Sequence, residues 1–129
     1  GSGDGRIVIM AASLYGARGV GFELDGELVR QSTENARRAG VGNLVEFRQQ
    51  DVLTVDLSPA TVVTIYLGRD ANLKLRPAIR SQLRPGARVV SHDFDMGDWR
   101  PEVVRQRLDE SGMVRTVYLW RIARDGVRP

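Results

Sequence analysis

Strand-like and helix-like segments alternate through most of the chain, and this predicts an α/β domain: a mostly parallel sheet closed by a C-terminal antiparallel β-hairpin. Three observations lead there. Up to residue 91, apolar or β-branched runs alternate with segments of helical spacing. After the polar stretch His92–Pro101, two segments switch to period-two alternation about Glu110-Ser111-Gly112. The chain also opens on Gly1-Ser2-Gly3-Asp4-Gly5, whose glycines let a backbone turn tightly and approach a ligand with no side chain between.

The elements follow in order. Residues 5–15 begin with β-branched Ile7, Val8 and Ile9 but continue through Met10–Leu14 to Gly16, so a helix is expected, apolar on most sides and buried. Residues 18–24 read as a short buried strand. Asp25 stands where an N-cap belongs, with Glu27 in the first turn. The helix over 26–39 sets Val29, Thr33, Ala36 and Gly40 inward and Arg30, Glu34, Arg37 and Arg38 outward. Residues 43–48 alternate as a strand that delivers Asp51, and a loop over 56–60 contains Pro59. The β-branched run 61–67 marks a strand buried on both faces. A helix over 71–83 has Leu73, Ala78, Ile79 and Leu83 apolar, and Pro77 predicts a kink or break within it. Residues 87–91 form another buried strand. In the hairpin, Val114, Thr116, Tyr118 and Trp120 share one face and Met113, Arg115, Val117, Leu119 and Arg121 the other; a helix over 102–109 is the alternative. Residues 124–129 read as a frayed tail.

The totals narrow the function classes. At 129 residues the chain is long enough for one core and is read as one domain over 1–129. With 42% apolar and 27% charged residues it has an ordinary globular composition. No apolar run approaches a membrane span. Without cysteine, and with His92 the only histidine, disulfides, thiolate metal sites and multi-histidine sites are excluded. The net charge of +3 is carried almost wholly by arginine, with Lys74 the only lysine. The arginines are scattered and form no block of five or more, so basicity alone identifies no partner.

In parallel sheets, ligands bind at the carboxyl ends of the strands. Glu23, Asp51, Tyr66-Leu67 and His92-Asp93 all fall at such ends. The order glycine turn, helix, strand, acid is that of a nucleotide-binding half-unit, with Glu23 placed to take two ribose hydroxyls. The G-x-G-x-G spacing departs from the G-x-G-x-x-G of dinucleotide enzymes and points from NAD towards S-adenosylmethionine.

The strings GSGDGRIVI, GVGFELD, TVVTIYL, LRPGARVVSHDFDMGDW and VYLW extend over nearly the whole chain. Together they resemble class I S-adenosylmethionine-dependent methyltransferases with a Rossmann-like sheet. More narrowly, they resemble the lysine methyltransferases that act on the adenine nucleotide translocase and on the ATP synthase c subunit, with their prokaryotic relatives. The resemblance implies that Gly1, Gly3, Asp4 and Gly5 line the methionine end of the cofactor. It implies that Glu23, with Leu24, holds the ribose, and that Asp51 accepts from the adenine amine with Val52 against the ring. It places Tyr66 and Leu67 beside the transferred methyl group, and His92, Asp93 and Trp99 towards the substrate. Such a family has a strand before its glycine turn, so the expected sheet lacks its first strand and the domain is N-terminally truncated, with an exposed strand position through which a homodimer could pair.

The reaction so implied is in-line transfer of a methyl group to a deprotonated lysine amine, leaving S-adenosylhomocysteine. An amine must lose a proton to act as nucleophile, so a nearby acceptor helps. Tyr66, His92 and Asp93 are the catalytic candidates, and Asp95 and Trp99 the substrate-side ones. Alternatives are methylation of RNA or a small molecule, and a non-catalytic module that binds the cofactor. A protein substrate is expected in preference to RNA, DNA is not expected, and the expected location is the cytoplasm of a bacterium or archaeon, near a membrane if the family pattern holds.

Overall fold

In the computed structural model the described residues are 1–123, so the expected tail at 124–129 lies outside them. The chain forms two compact units, Gly1–Val55 and the part from Asp56 onward.

The first unit contains α1 (Arg6–Tyr15), β1 (Gly19–Glu23), α2 (Gly26–Arg38), β2 (Val45–Gln49) and a 3₁₀ turn, Val52–Thr54. Asp25 caps α2 as expected, its Oδ1 accepting from the Glu27 and Leu28 N–H groups. The helix links β1 to β2 as parallel neighbours, with Gly19 opposite Val45 and Glu23 opposite Gln49. Ala12, Ala36 and Val41 form a small core, with Ile9, Leu44, Val45 and Phe47 packed against it.

Two expectations for this unit are corrected. Helix α1 forms, but of its ten residues only Ala12 is buried, and Met10, Leu14 and Tyr15 are exposed. Its composition is apolar on most sides, while its packing reaches one stripe only. On α2 the buried positions are Ser32 and Ala36; Thr33 and Gly40 face solvent.

The second unit contains β3 (Val62–Ile65), α3 (Arg69–Gln82), β4 (Arg88–His92), β5 (Val103–Leu108) and β6 (Val114–Arg121), with strand order β3-β4-β6-β5. The helix-linked pair β3–β4 is parallel, and β6 is antiparallel to both β4 and β5. The hairpin is therefore as expected, and the alternative helix over 102–109 is excluded. Helix α3 runs through Pro77 without a break. Its buried positions are Asn72, Leu75 and Ile79, whereas Leu73 is 37% exposed.

Neither β3 nor β4 is buried on both faces. Val89 and Ser91 of β4 are buried and alternate with less buried neighbours. In β3 only Ile65 is buried, and Val62 is 40% exposed. Helix α3 covers the face that carries Ser91 and Trp120. On the opposite face, Tyr66, His92 and Val117 are partly open. Among the described residues the strands pair in two groups, β1-β2 and β3-β4-β6-β5, parallel where a helix links them and antiparallel at the hairpin.

Candidate active site

In the first unit the opening glycines fold into a turn tied to the end of β1. The Ser2 N–H donates to the Phe22 carbonyl at 3.0 Å, and the Gly5 N–H closes the turn on the Ser2 carbonyl at 3.0 Å. Gly5 then starts α1 with φ 84°, a left-handed conformation that glycine adopts without cost. A side chain there would also meet Phe47, since a Cβ would lie 2.7 Å from its ring; at Gly21 the distance would be 2.5 Å. The Phe47 ring is thus the floor on which the turn and β1 rest. At Gly3, by contrast, nothing lies within 4 Å of a Cβ position, so the turn opens to a ligand on that side.

Helix α2 braces the turn from beneath. The Ser32 hydroxyl lies 2.9 Å from the Gly3 carbonyl and 2.8 Å from that of Leu28, and the Asn35 amide donates to the Asp4 carbonyl at 3.0 Å. Phe47, Ser32 and Asn35 were missed as site residues. The available signal was the run of small or polar residues on the inner face of an otherwise charged helix.

Glu23 stands at the carboxyl end of β1. Its Oε1 accepts from the Gly3 N–H at 2.9 Å and its Oε2 from the Asp25 N–H at 3.1 Å. Burial opposes its ionisation, but these N–H groups outweigh that and hold the carboxyl below the usual glutamate range. One carboxylate therefore joins the glycine turn, the strand end and the start of α2. Asp51, just past β2, caps the 3₁₀ turn through Leu53 N–H at 3.0 Å, and Val52 begins that turn. It shares an edge with Glu23, since the Gln50 N–H donates to the Glu23 carbonyl at 3.2 Å. The unit thus brings Gly3, Glu23 and Asp51 to the same strand edge. Leu24 is exposed nearby. Asp4 is engaged by the Arg6 guanidinium at 2.8 Å, which lowers its pKa, and Gly1 is exposed.

Among the described residues the buried Ser2 hydroxyl has no hydrogen-bond partner. An open glycine turn, a carboxylate at the strand end and an orphaned hydroxyl suit a ligand with a ribose diol and a charged amino-acid end, as S-adenosylmethionine has.

In the second unit Tyr66 and His92 stack, with ring centroids 4.3 Å apart and planes 18° from parallel. Asp93 follows at φ 65°, a conformation unfavourable to most residues. Its N–H donates to the Thr116 carbonyl at 2.7 Å, and its Oδ1 accepts the Thr116 N–H at 2.8 Å. Its Oδ2 takes the Arg115 guanidinium at 2.9 Å and lies 3.5 Å from His92 Nδ1. The Thr116 N–H, then Arg115, depress the Asp93 pKa.

The remaining substrate-side candidates lie elsewhere. The Asp95 Oδ1 turns into its own loop and accepts from Gly97 N–H, while the Phe94 and Asp95 carbonyls are held by Asn72. Trp99 is buried beside Trp120, with Arg80 over its ring, on the α3 side of the sheet. That is the face opposite Tyr66 and His92, so the structure does not bring Trp99 to them. A large aromatic in a polar loop reads equally as substrate wall or core, and here the core claims it.

Comparison with known proteins decides the family. The model of the ANTKMT methyltransferase domain matches residues 1–103. This chain belongs to that methyltransferase family. It is 38% identical over 123 residues to a protein-lysine N-methyltransferase of Saccharolobus islandicus, spanning 95% of this chain and 76% of that protein. It is 35% identical over 104 residues to the adenine nucleotide translocase lysine N-methyltransferase of Mus musculus, covering 81% of this chain but only 45% of that one. Among solved structures, an RNA methyltransferase from Salinibacter ruber in complex with S-adenosyl-L-homocysteine matches 95% of this chain and 77% of its own, with 57% identity and a TM-score of 0.85. The methyltransferase fold and class expected from the sequence are thereby established.

Proposed function

We propose that this methyltransferase takes S-adenosylmethionine as cofactor and methylates the amine of a protein lysine. The observation that carries the reading is the Glu23 carboxylate at the end of β1, bonded to the N–H of the open glycine turn. Bound there, the cofactor supplies an electrophilic methyl group on a cationic sulfur. Glu23 accepts from the ribose hydroxyls, Asp51 from the adenine amine, and Gly3 leaves room for the amino-acid end. In the second unit, His92 takes the proton that the lysine must lose. Tyr66 holds the imidazole by stacking, and the partly open face beside them admits an unbranched side chain. Transfer of the methyl group to that amine would release a neutral sulfide, so the protein would need to supply no acid, only alignment and a proton acceptor. The names of the archaeal and mouse relatives support lysine as acceptor.

RNA is the second reading, favoured by the name of the Salinibacter ruber structure. Against it, many of the arginines that give the basic balance are paired: Arg30 with Glu27, Arg37 and Arg38 with Glu34, Arg48 with Glu46, and Arg121 with Glu102. Tritium transfer from labelled S-adenosylmethionine into a cell extract separates the two. Label in protein that survives ribonuclease supports lysine methylation, and label lost with ribonuclease supports RNA.

A further inference from the structure

The hairpin was expected only to close the sheet, yet its residues hold the one histidine of the chain. Arg115 on β6 donates from Nη1 to Asp93 Oδ2 at 2.9 Å and from Nε to Asp109 Oδ2 at 2.8 Å. Asp109 is itself fixed in the turn, its Oδ1 accepting from the N–H groups of Ser111 and Met113 and from the Ser111 hydroxyl. Asp93 is therefore gripped from two sides, by the Thr116 backbone and by a guanidinium that is anchored in its turn. Such a grip explains how a residue with a β-carbon persists at φ 65°.

What the grip positions is an acceptor beside His92 Nδ1. Beside His92 stand Tyr66, just past β3 and stacked on its ring, Asp93, the next residue along the chain, and Val117, its register partner on β6. Asp93 Oδ2 lies 3.5 Å from Nδ1, a separation of the loose kind that ligand-free sites show before they tighten. A neutral imidazole carries one proton, and the nitrogen facing a carboxylate keeps it.

We propose that Asp93, held by Arg115 and Asp109, is a positioning residue: it keeps the His92 proton on Nδ1, so that Nε2 presents its lone pair to the substrate amine. This rests on the reading of His92 as proton acceptor. The step balances simply, with the ammonium proton passing to Nε2 and the amine nitrogen keeping its pair.

Because His92 is the only histidine, its ring nitrogens give one pair of signals in long-range ¹H–¹⁵N spectra of the intact chain. The variants are Asp93→Asn, Asp93→Gly and His92→Gln. Asparagine and glycine both accept the left-handed backbone more readily than aspartate, and thermal melts of each variant check that the fold survives loss of the carboxylate contacts. Spectra at pH 8 are paired with tritium transfer from S-adenosylmethionine to poly-L-lysine. The native chain is expected to show the Nδ1–H tautomer. In Asp93→Asn the amide N–H faces Nδ1, the tautomer moves to Nε2–H, and transfer falls at least about tenfold, with the KM for cofactor unchanged. In Asp93→Gly the tautomer preference is lost. An Asp93→Asn chain that keeps the native tautomer, or that changes it and transfers at the native rate, overturns the proposal. A His92→Gln chain that transfers at the native rate refutes instead the acceptor reading beneath it, and the spectra then still decide whether Asp93 fixes the ring.

Discussion

Replacing Glu23 by alanine tests whether this carboxylate holds a ligand or only braces a turn. In the structure it accepts two N–H bonds, from Gly3 at 2.9 Å and Asp25 at 3.1 Å. Hydrogen bonds to charged groups contribute about 1.5–3 kcal/mol each when protected. Glu23 is partly exposed, so screening reduces the pair to about 1–2 kcal/mol. The melting temperature should therefore fall by roughly 3–10 °C. The turn should keep its place, because the Ser2 N–H to Phe22 bond and the braces from Ser32 and Asn35 do not depend on Glu23. Loss of ligand affinity then reports a lost contact. Two ribose hydroxyls on one carboxylate are worth about 3 kcal/mol, so Kd for S-adenosylhomocysteine should rise roughly 150-fold. Glu23→Gln, which keeps an acceptor but loses the charge, should fall between. Titration calorimetry and thermal melts on the same samples measure both effects. If Glu23→Ala melts lower but binds S-adenosylhomocysteine within about threefold of the native chain, Glu23 is a structural brace and the ribose assignment is wrong.

Other outcomes follow from particular contacts. Gly21→Ala would place a Cβ 2.5 Å from the Phe47 ring, so it should destabilise by about 1–3 kcal/mol in denaturant melts, and adding Phe47→Leu should recover part of that. Asn72→Ala removes the donor shared by the Ser91 hydroxyl and the Phe94 and Asp95 carbonyls; it should cost about 2–4 kcal/mol and speed amide exchange over residues 93–97. Acid should destabilise the protein in a defined window. Glu23, Asp93 and Asp109 have native pKa values below their unfolded ones, so the unfolded chain binds more protons and stability is lost as pH falls from about 4 through the native values. A melting temperature that stays flat from pH 5 to pH 2 would contradict that linkage.

The elements were legible in the sequence because their signals are local. Asp25 as a cap, the β-branched run before Tyr66 and the alternation around Gly112 each act through neighbours a few residues away, and each element formed where expected. Burial was less legible, because it depends on what covers a face. An isolated helix from Arg6 to Tyr15 looks buried by composition, yet Met10 and Leu14 find no cover in their unit. The β3 run looks two-sided, yet α3 lies on one face only. Within the site, Glu23 and Asp51 were readable because a strand end is a sequence feature. The braces were not: Phe47 meets Gly5 and Gly21 across 42 and 26 residues, and Arg115 meets Asp93 across 22. Trp99 shows the converse, an aromatic whose chemistry suits two environments and whose place was decided by packing against Trp120.

The most direct test of the central claim is the identity of the methylated atom. The protein labelled by tritiated S-adenosylmethionine is hydrolysed in acid and its amino acids are separated by chromatography. The account predicts tritium eluting with N-methylated lysine, with the label abolished by Glu23→Ala at a limiting cofactor concentration. Tritium recovered in methylated nucleosides, or in an amino acid other than lysine, would contradict it.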